Sequence, residues 1–193
     1  MRVTPRSPRR RPPALGAALL LAGLAWCVAP ARATTLRYQS VQELAASADA
    51  VVWASVTRVG TRMQRDAGRL QPEREAQLSV REVLLGEVRS PLAVQLRGGV
   101  HPGGARRVDG EASLREGEEV VLFLTRDGTR WRVLGMSLGV FRVSHPAGQP
   151  PRLVRRVADA VVLGADGQRV PPVDETLTFP ELRAGIARPR RSP

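Results

Sequence analysis

The alternation of apolar and polar residues along the chain predicts a series of β-strands. Residues 50–59 are rich in Val and Thr and place Val52, Ala54 and Val56 on one face. Residues 75–85 alternate in the same way after a turn signal that begins at Asp66, so the two segments predict a hairpin. Further strands are predicted at residues 91–96, 119–124, 130–134, 140–143, 152–154 and 160–163, the last as part of a final hairpin.

Two capping-box spacings place helices at the ends of this strand-rich region. Ser40 and Glu43 predict a helix over about residues 40–48, and Thr178 and Glu181 predict a second short helix near the C-terminus. The glycine-rich residues 98–110 show no periodicity and are expected to form a long connection. Many short strands with helices only at the ends indicate a mainly β fold, a small antiparallel barrel in a single domain over residues 34–187.

The first 33 residues predict a secretory signal peptide. An arginine-rich start is followed by an apolar run over residues 14–28 and a small-x-small end at Ala31 and Ala33. We expect cleavage after Ala33, which gives a periplasmic or secreted mature chain that begins at Thr34. The apolar run is shorter than the roughly 20 residues that span a bilayer, so no transmembrane anchor is expected in the mature chain.

Two other export routes compete with the general secretory route. Arg9 and Arg10 invite a twin-arginine reading, but the next residues, Arg11 to Pro13, lack the apolar continuation of such signals. Acylation of Cys27 is less favoured because a bulky Trp26 precedes it. The signal peptide contains the chain's one cysteine, so the mature chain has no thiol and no disulfide.

The net charge of +12 comes mainly from the two ends of the chain. All 30 basic residues are Arg, with six in the first 33 residues and three in residues 188–193, so the body is close to neutral. The total charge is therefore a weak signal for nucleic acid. Residues 188–193 contain only Arg, Pro and Ser and are expected to be a disordered tail.

The mature chain has few of the residues that are typical of catalytic or metal-binding sites. Its two histidines, His101 and His145, each precede a proline and lie far apart in the sequence. We predict that the protein is not an enzyme and that it holds no metal and no cofactor. A hydrolase stays open only if the fold brings His101 or His145 within hydrogen-bond reach of a Ser or Asp.

A nucleic-acid reading depends on two tryptophans. Trp131 lies between Arg130 and Arg132, which resembles an aromatic platform among basic groups, but it shares its face with Val133 and is predicted in the core. Trp53 lies on the face opposite Val52 and is predicted to be more exposed. The arginine pairs at residues 106–107 and 155–156 are expected to be solvated.

The strand patterns resemble a known family. Residues 48–56, followed by the Val-Leu-Leu-Gly step at residues 83–86, resemble the opening of the oligonucleotide/oligosaccharide-binding barrel of tissue inhibitors of metalloproteinases and netrin-type modules. Residues 117–124 and 131–135 resemble the fourth and fifth strands of uncharacterised exported bacterial proteins built on that plan. The resemblance covers residues 40–143 and implies a five-stranded barrel without catalysis. The inhibitors chelate the protease zinc through a mature N-terminal cysteine, whereas this mature chain would begin at Thr34.

These observations predict an exported binding module whose loops at residues 63–70 and 98–109 contact another exported or envelope protein, a protease being one candidate. The alternative is a polyanion or single-stranded nucleic-acid binder that uses Trp53, Arg130 and Arg132. The candidate surface residues are Trp53, His101, Arg106, Arg107, Arg130, Trp131 and Arg132.

Overall fold

The fold was analysed in a computed structural model that describes residues 34–66, 68–157, 160–171 and 173–187. The predicted signal peptide with its cleavage position at Ala33, and the predicted tail at residues 188–193, lie outside the described residues. The elements in chain order are β1 (Thr35–Arg37), α1 (Val41–Ser47), β2 (Ala50–Asp66), β3 (Arg69–Gly86), β4 (Leu92–Arg97), β5 (Gly99–His101), β6 (Gly104–Arg106), β7 (Glu119–Asp127), β8 (Arg130–Val133), a 3₁₀ turn (Met136–Gly139), β9 (Val140–Ser144), β10 (Arg152–Val157), β11 (Val161–Leu163), β12 (Val173–Thr178) and α2 (Phe179–Ala187).

Five strands close into a barrel in the order β2-β3-β4-β8-β7, because β7 pairs with both β2 and β8. The pairing of β4 with β8 is parallel and joins Val94 to Trp131 and Gln95 to Arg132. The barrel is therefore antiparallel everywhere except at this closing pair. The expected mainly β fold with short flanking helices is confirmed.

Small and branched apolar side chains fill the barrel. Val52, Ala54 and Val56 of β2 point inward, as their alternation predicts, and each is at most 2% exposed. Ala112 and Leu114, from the segment before β7, join the same core.

A second apolar layer covers one outer side of the barrel. The sheet continues from β7 through β9 and β10 to β12. Helices α1 and α2 bury Leu44 and Leu182 against Phe123 and Phe141 of this sheet. The capping box predicted for α1 is present, since Glu43 N donates to Ser40 Oγ and the Glu43 carboxylate accepts from Ser40 N.

Three sequence expectations differ from the structure. Residues 161–163 form the expected last hairpin, since Leu163 bridges Arg169 antiparallel and Val170 N donates to the Val162 carbonyl, but they also pair in parallel with β1, which was not expected. The glycine-rich connection contains the small β5–β6 hairpin, whose three-residue strands are too short for a periodic pattern to show. Strand β12 follows two prolines and was not predicted.

Arg155 also departs from its predicted solvated position, because its side chain is fully buried beneath Tyr38 and Phe141. Its Nη1 donates to the carbonyl of Gln39 at 2.8 Å and its Nε to Glu175 at 2.9 Å. A buried guanidinium needs such partners to offset its desolvation. Its neighbour Arg156 is exposed, as expected.

Candidate binding surface

The β2–β3 hairpin extends beyond the barrel as a two-stranded arm. Strand β7 pairs with β2 only up to Ser55, and β4 pairs with β3 only from Arg74 onward. The two long strands still pair with each other as far as Asp66 and Arg69. The arm, defined as residues 60–66 and 69–75, therefore projects one of the two loops singled out by sequence.

The β5–β6 hairpin lies against this arm and brings the second predicted loop to the same place. Gly98 forms a bridge with Glu73, and the Arg106 guanidinium donates to the side-chain oxygen of Gln71. Gly99 has a φ of 145°, and a Cβ there would lie 2.7 Å from Thr61 Cγ2. Only glycine allows this close approach of hairpin and arm. The arm and residues 98–109 together are called the arm surface below.

The arm surface exposes two large aliphatic side chains. Leu70 is 60% exposed on the arm and Val100 is 80% exposed on the hairpin. Arg107 is also exposed and forms an ion pair with Asp109 at 2.8 Å. Two packed hairpins that both expose a large aliphatic side chain, with charged residues on the same unit, suit a protein contact surface.

His101 shapes the hairpin. It is half-buried, and its Nδ1 accepts a hydrogen bond from Gly103 N at 3.1 Å. Three of the predicted surface residues, His101, Arg106 and Arg107, thus belong to the arm surface.

Trp53 lies elsewhere and is half-buried rather than free. Its Nε1 donates to Glu119 Oε1 at 2.6 Å, and its ring centroid lies 4.6 Å from that of Phe179 in α2. The Glu119 carboxylate also contacts His145 Nε2 at 2.9 Å and Arg81 Nη1 at 3.3 Å. These contacts hold the indole in place, and the guanidinium carbon of Arg81 lies 5.8 Å from its ring centroid, so the ring is already engaged by Phe179 and Arg81.

Trp131 contacts the barrel core, as its pattern predicted. The guanidinium carbon of Arg126 lies 4.3 Å from the Trp131 ring centroid, so a cation already covers the indole.

The arginines on either side of Trp131 lie on the opposite face of the sheet. Arg130 is half-buried there. Arg132 Nε donates to Asp127 at 2.9 Å and its Nη2 to Glu73 at 3.2 Å. Desolvation lowers the pKa of Arg132, but the hydrogen bonds to Glu73 and Asp127 outweigh it and raise the pKa overall. Arg132 is therefore already held in ion pairs with Glu73 and Asp127.

The sheet around Arg132 also holds buried polar atoms without hydrogen bonds. Within the described part of the chain, Glu73 Oε2, Gln95 Oε1 and Arg132 Nη1 have no partner. Glu73 is 2% exposed and Gln95 7% exposed. Neither side chain was singled out by sequence, because acidic and amide residues are mostly found on surfaces.

Gly135, Ser137 and Gly139 show the Gly-x-Ser-x-Gly spacing that marks a nucleophilic serine in α/β-hydrolases, contrary to the expectation that the chain contains no such elbow. Here the residues form a 3₁₀ turn, and Ser137 Oγ is buried without a hydrogen-bond partner among the described residues. Neither His101 nor His145 hydrogen-bonds to a serine or aspartate side chain in that part of the chain. The spacing therefore lacks the base that activates such a serine.

Two features are absent from the described residues. No group of three or more His, Cys, Asp or Glu side chains there could hold a metal ion. No helix in those ranges is long and apolar enough to cross a bilayer.

Comparison with known proteins gives no relative: no protein family, no curated protein and no solved structure matches the chain. The resemblance to inhibitor and netrin barrels therefore depends on the strand patterns alone.

Proposed function

We propose that the protein is an exported, non-enzymatic binding module that contacts another exported or envelope protein through the arm surface. One observation carries the proposal: the β5–β6 hairpin packs on the β2–β3 arm, so that two loops far apart in sequence, each with an exposed aliphatic residue (Leu70 and Val100), belong to one projecting unit. Projecting loops on a rigid barrel are where binding residues most often occur.

The strand patterns of residues 40–143 support an inhibitor-like scaffold. A five-stranded barrel is what the resemblance to inhibitor and netrin modules implies. A mature chain that begins at Thr34 has no cysteine to chelate a protease zinc. A protease partner would therefore be contacted through the arm surface and not through metal chelation.

A protein partner is favoured over nucleic acid because both tryptophans are engaged. Phe179 and Glu119 hold Trp53, and Arg126 covers Trp131, whereas Leu70 and Val100 are open to solvent. Aliphatic side chains suit a protein surface, and a single-stranded binder needs free aromatic rings.

Site-specific photo-crosslinking in intact cells tests the proposal. A photoreactive residue at position 70 or 100 is expected to give the same crosslinked protein, while one at position 184, exposed on α2 and outside the arm surface, is not. With that protein purified, the double variant Leu70→Ser/Val100→Ser should bind at least tenfold more weakly. Ala184→Ser, at an exposed position outside the arm surface, is the control. An unchanged affinity in the double variant would exclude the arm surface.

The predicted export is tested by the mass and N-terminal sequence of the protein from fractionated cells and medium. A chain that begins at Thr34 in the periplasm or medium supports the proposal. An intact N-terminus in the cytosol contradicts the proposal and makes nucleic acid the favoured partner. Binding to oligo-dT should then weaken steeply with added salt.

A further inference from the structure

Half of strand β3 forms an open edge of the barrel. Its residues 74–78 pair with β4, whereas residues 79–86 pair only with β2 among the described residues. Strand β4 begins at Leu92, opposite Leu78, and the connection over residues 87–91, which is not a strand, joins the end of β3 to this point. The outer edge of residues 79–86 therefore presents backbone amides and carbonyls that no other described strand meets.

A groove of about 940 Å³ runs beside this open edge. Its lining includes residues 86–89 after β3, Arg126 and Thr129 at the β7–β8 turn, and Trp131. Val83, Val88 and Leu92 give the groove an apolar part, and Val83 is 41% exposed. An extended segment laid along the edge would place alternate side chains on this apolar lining.

Two exposed arginines give the groove a positive charge. Arg89 and Arg126 both line it, and neither forms an ion pair with a carboxylate of the described residues. Glu87 is the acidic residue in the lining.

The position of Arg126 is fixed from two sides. Its backbone N donates to Asp49 Oδ2 at 2.7 Å, and its guanidinium lies over Trp131. That backbone hydrogen bond, together with one from Thr125, holds the pKa of Asp49 below its ordinary value, so Asp49 stays ionised and keeps the turn in place. The guanidinium is thus held ready for an incoming carboxylate.

We propose that this groove binds an extended, acidic segment of a partner protein, which adds as a strand to residues 79–86. Backbone hydrogen bonds to the open edge supply general affinity. Aliphatic side chains on one face of the segment contact Val83 and Val88, and its carboxylates pair with Arg89 and Arg126. The site lies on residues distinct from the arm surface and does not depend on the function proposed above.

The lining favours a peptide over a nucleic acid. The indole of Trp131 is already covered by Arg126, so no free ring is offered to a base. The remaining apolar lining is aliphatic and suits Val or Leu side chains.

A labelled peptide of alternating Glu and Val provides the test, with binding followed by fluorescence anisotropy. It should bind at least tenfold more tightly than the Lys/Val peptide of the same length. Arg89→Gln and Arg126→Gln should each weaken binding several-fold, with a larger loss in the double variant. Leu70→Ser on the arm serves as the control and should bind normally, even if the arm surface has no partner.

Strand addition is tested with chemically modified peptides and the unaltered protein. N-methylation of every second amide should abolish binding in one register and spare it in the other, because only one set of amides faces the edge. Absence of binding at millimolar peptide, equal binding of the Lys/Val peptide, indifference to both N-methylated forms, or unchanged binding by Arg89→Gln would each overturn the proposal. Displacement of the peptide by oligo-dT at an equal concentration would overturn it in favour of nucleic acid.

Discussion

Arg155 Nε donates to Glu175 Oε2 at 2.9 Å, and this pair joins β10 to β12 with the arginine entirely out of solvent. The guanidinium also lies 4.8 Å from the ring centroid of Phe141. The arrangement is a buried charge held by hydrogen bonds beneath an otherwise apolar layer. Its stability depends on every partner being present.

Removal of the carboxylate should therefore destabilise the fold. Glu175→Ala leaves Arg155 buried with fewer acceptors, and we expect the free energy of unfolding to fall by about 2 kcal/mol or more. Urea denaturation measures this change. Asp174→Ala is the matched control, because its ion pair with Arg156 at 3.2 Å is exposed and should contribute less than about 0.5 kcal/mol. Equal losses in the two variants would contradict the burial argument.

The α1 capping box should give a pH-dependent contribution. Hydrogen bonds from the backbone and side chain of Ser40 lower the pKa of Glu43, so the box stabilises the fold above the ordinary value of 4.5 and loses this contribution as pH falls through the lowered pKa. Ser40→Ala should cost about 1 kcal/mol at pH 7. The difference from wild type should shrink below about pH 4 in urea titrations. The exposed Ser47→Ala, at the other end of α1, should show no such trend.

Glu111 should show the opposite pH behaviour. Burial raises its pKa, against the influence of Arg97 and Arg74, so the folded state holds the proton more tightly than the unfolded chain. Its contribution to stability is therefore full below 4.5 and is lost as pH rises through the raised folded pKa. Glu111→Gln should unfold at higher urea concentration than wild type at pH 7, with the gain vanishing near pH 4. A gain that persists at pH 4 would contradict this origin. The exposed Glu87→Gln is the control.

The barrel interior should reject a larger side chain at Ala54. This residue is fully buried in the barrel core, and Leu in its place has no room without displacement of its neighbours. We expect Ala54→Leu to lower the free energy of unfolding by about 1–3 kcal/mol. The same substitution at the exposed Ala105 should change it by less than about 0.5 kcal/mol. Thermal and urea unfolding of both variants provide the measurement.

The sequence patterns predicted most strands of the barrel because its core follows a strict alternation. The pattern predicts the hairpin of β2 and β3 at residues 50–59 and 75–85. The observed β2 continues to Asp66, and the observed β3 begins earlier, at Arg69. The extension is mostly polar, with Met63 and Leu70 as isolated apolar residues, so no apolar periodicity marks it. The β5–β6 hairpin was missed for a related reason: glycine gives no side-chain pattern, and the contact that defines the hairpin is the close approach of Gly99 to Thr61.

The candidate site was predictable only in part. Position along the chain placed His101, Arg106 and Arg107 in one loop, but no pattern indicates that this loop would lie on the arm. The burial of Arg155 could have been predicted from spacing, since Arg155 shares one face of β10 with the buried Leu153 and Val157. Its charge argued for exposure, and only the partners supplied by Glu175 and distant backbone carbonyls make its burial possible.

The parallel pairing of Leu36 with Val162 limits how early in biogenesis the N-terminal strand can find its partner. A polypeptide emerges N-terminus first, so β1 has no partner until more than one hundred further residues have followed it. The two-stranded sheet therefore forms after synthesis or translocation of nearly the whole described chain, as expected for contacts of high sequence separation. During that interval β1 lacks the strand that completes its sheet, and its backbone groups have no β11 partner.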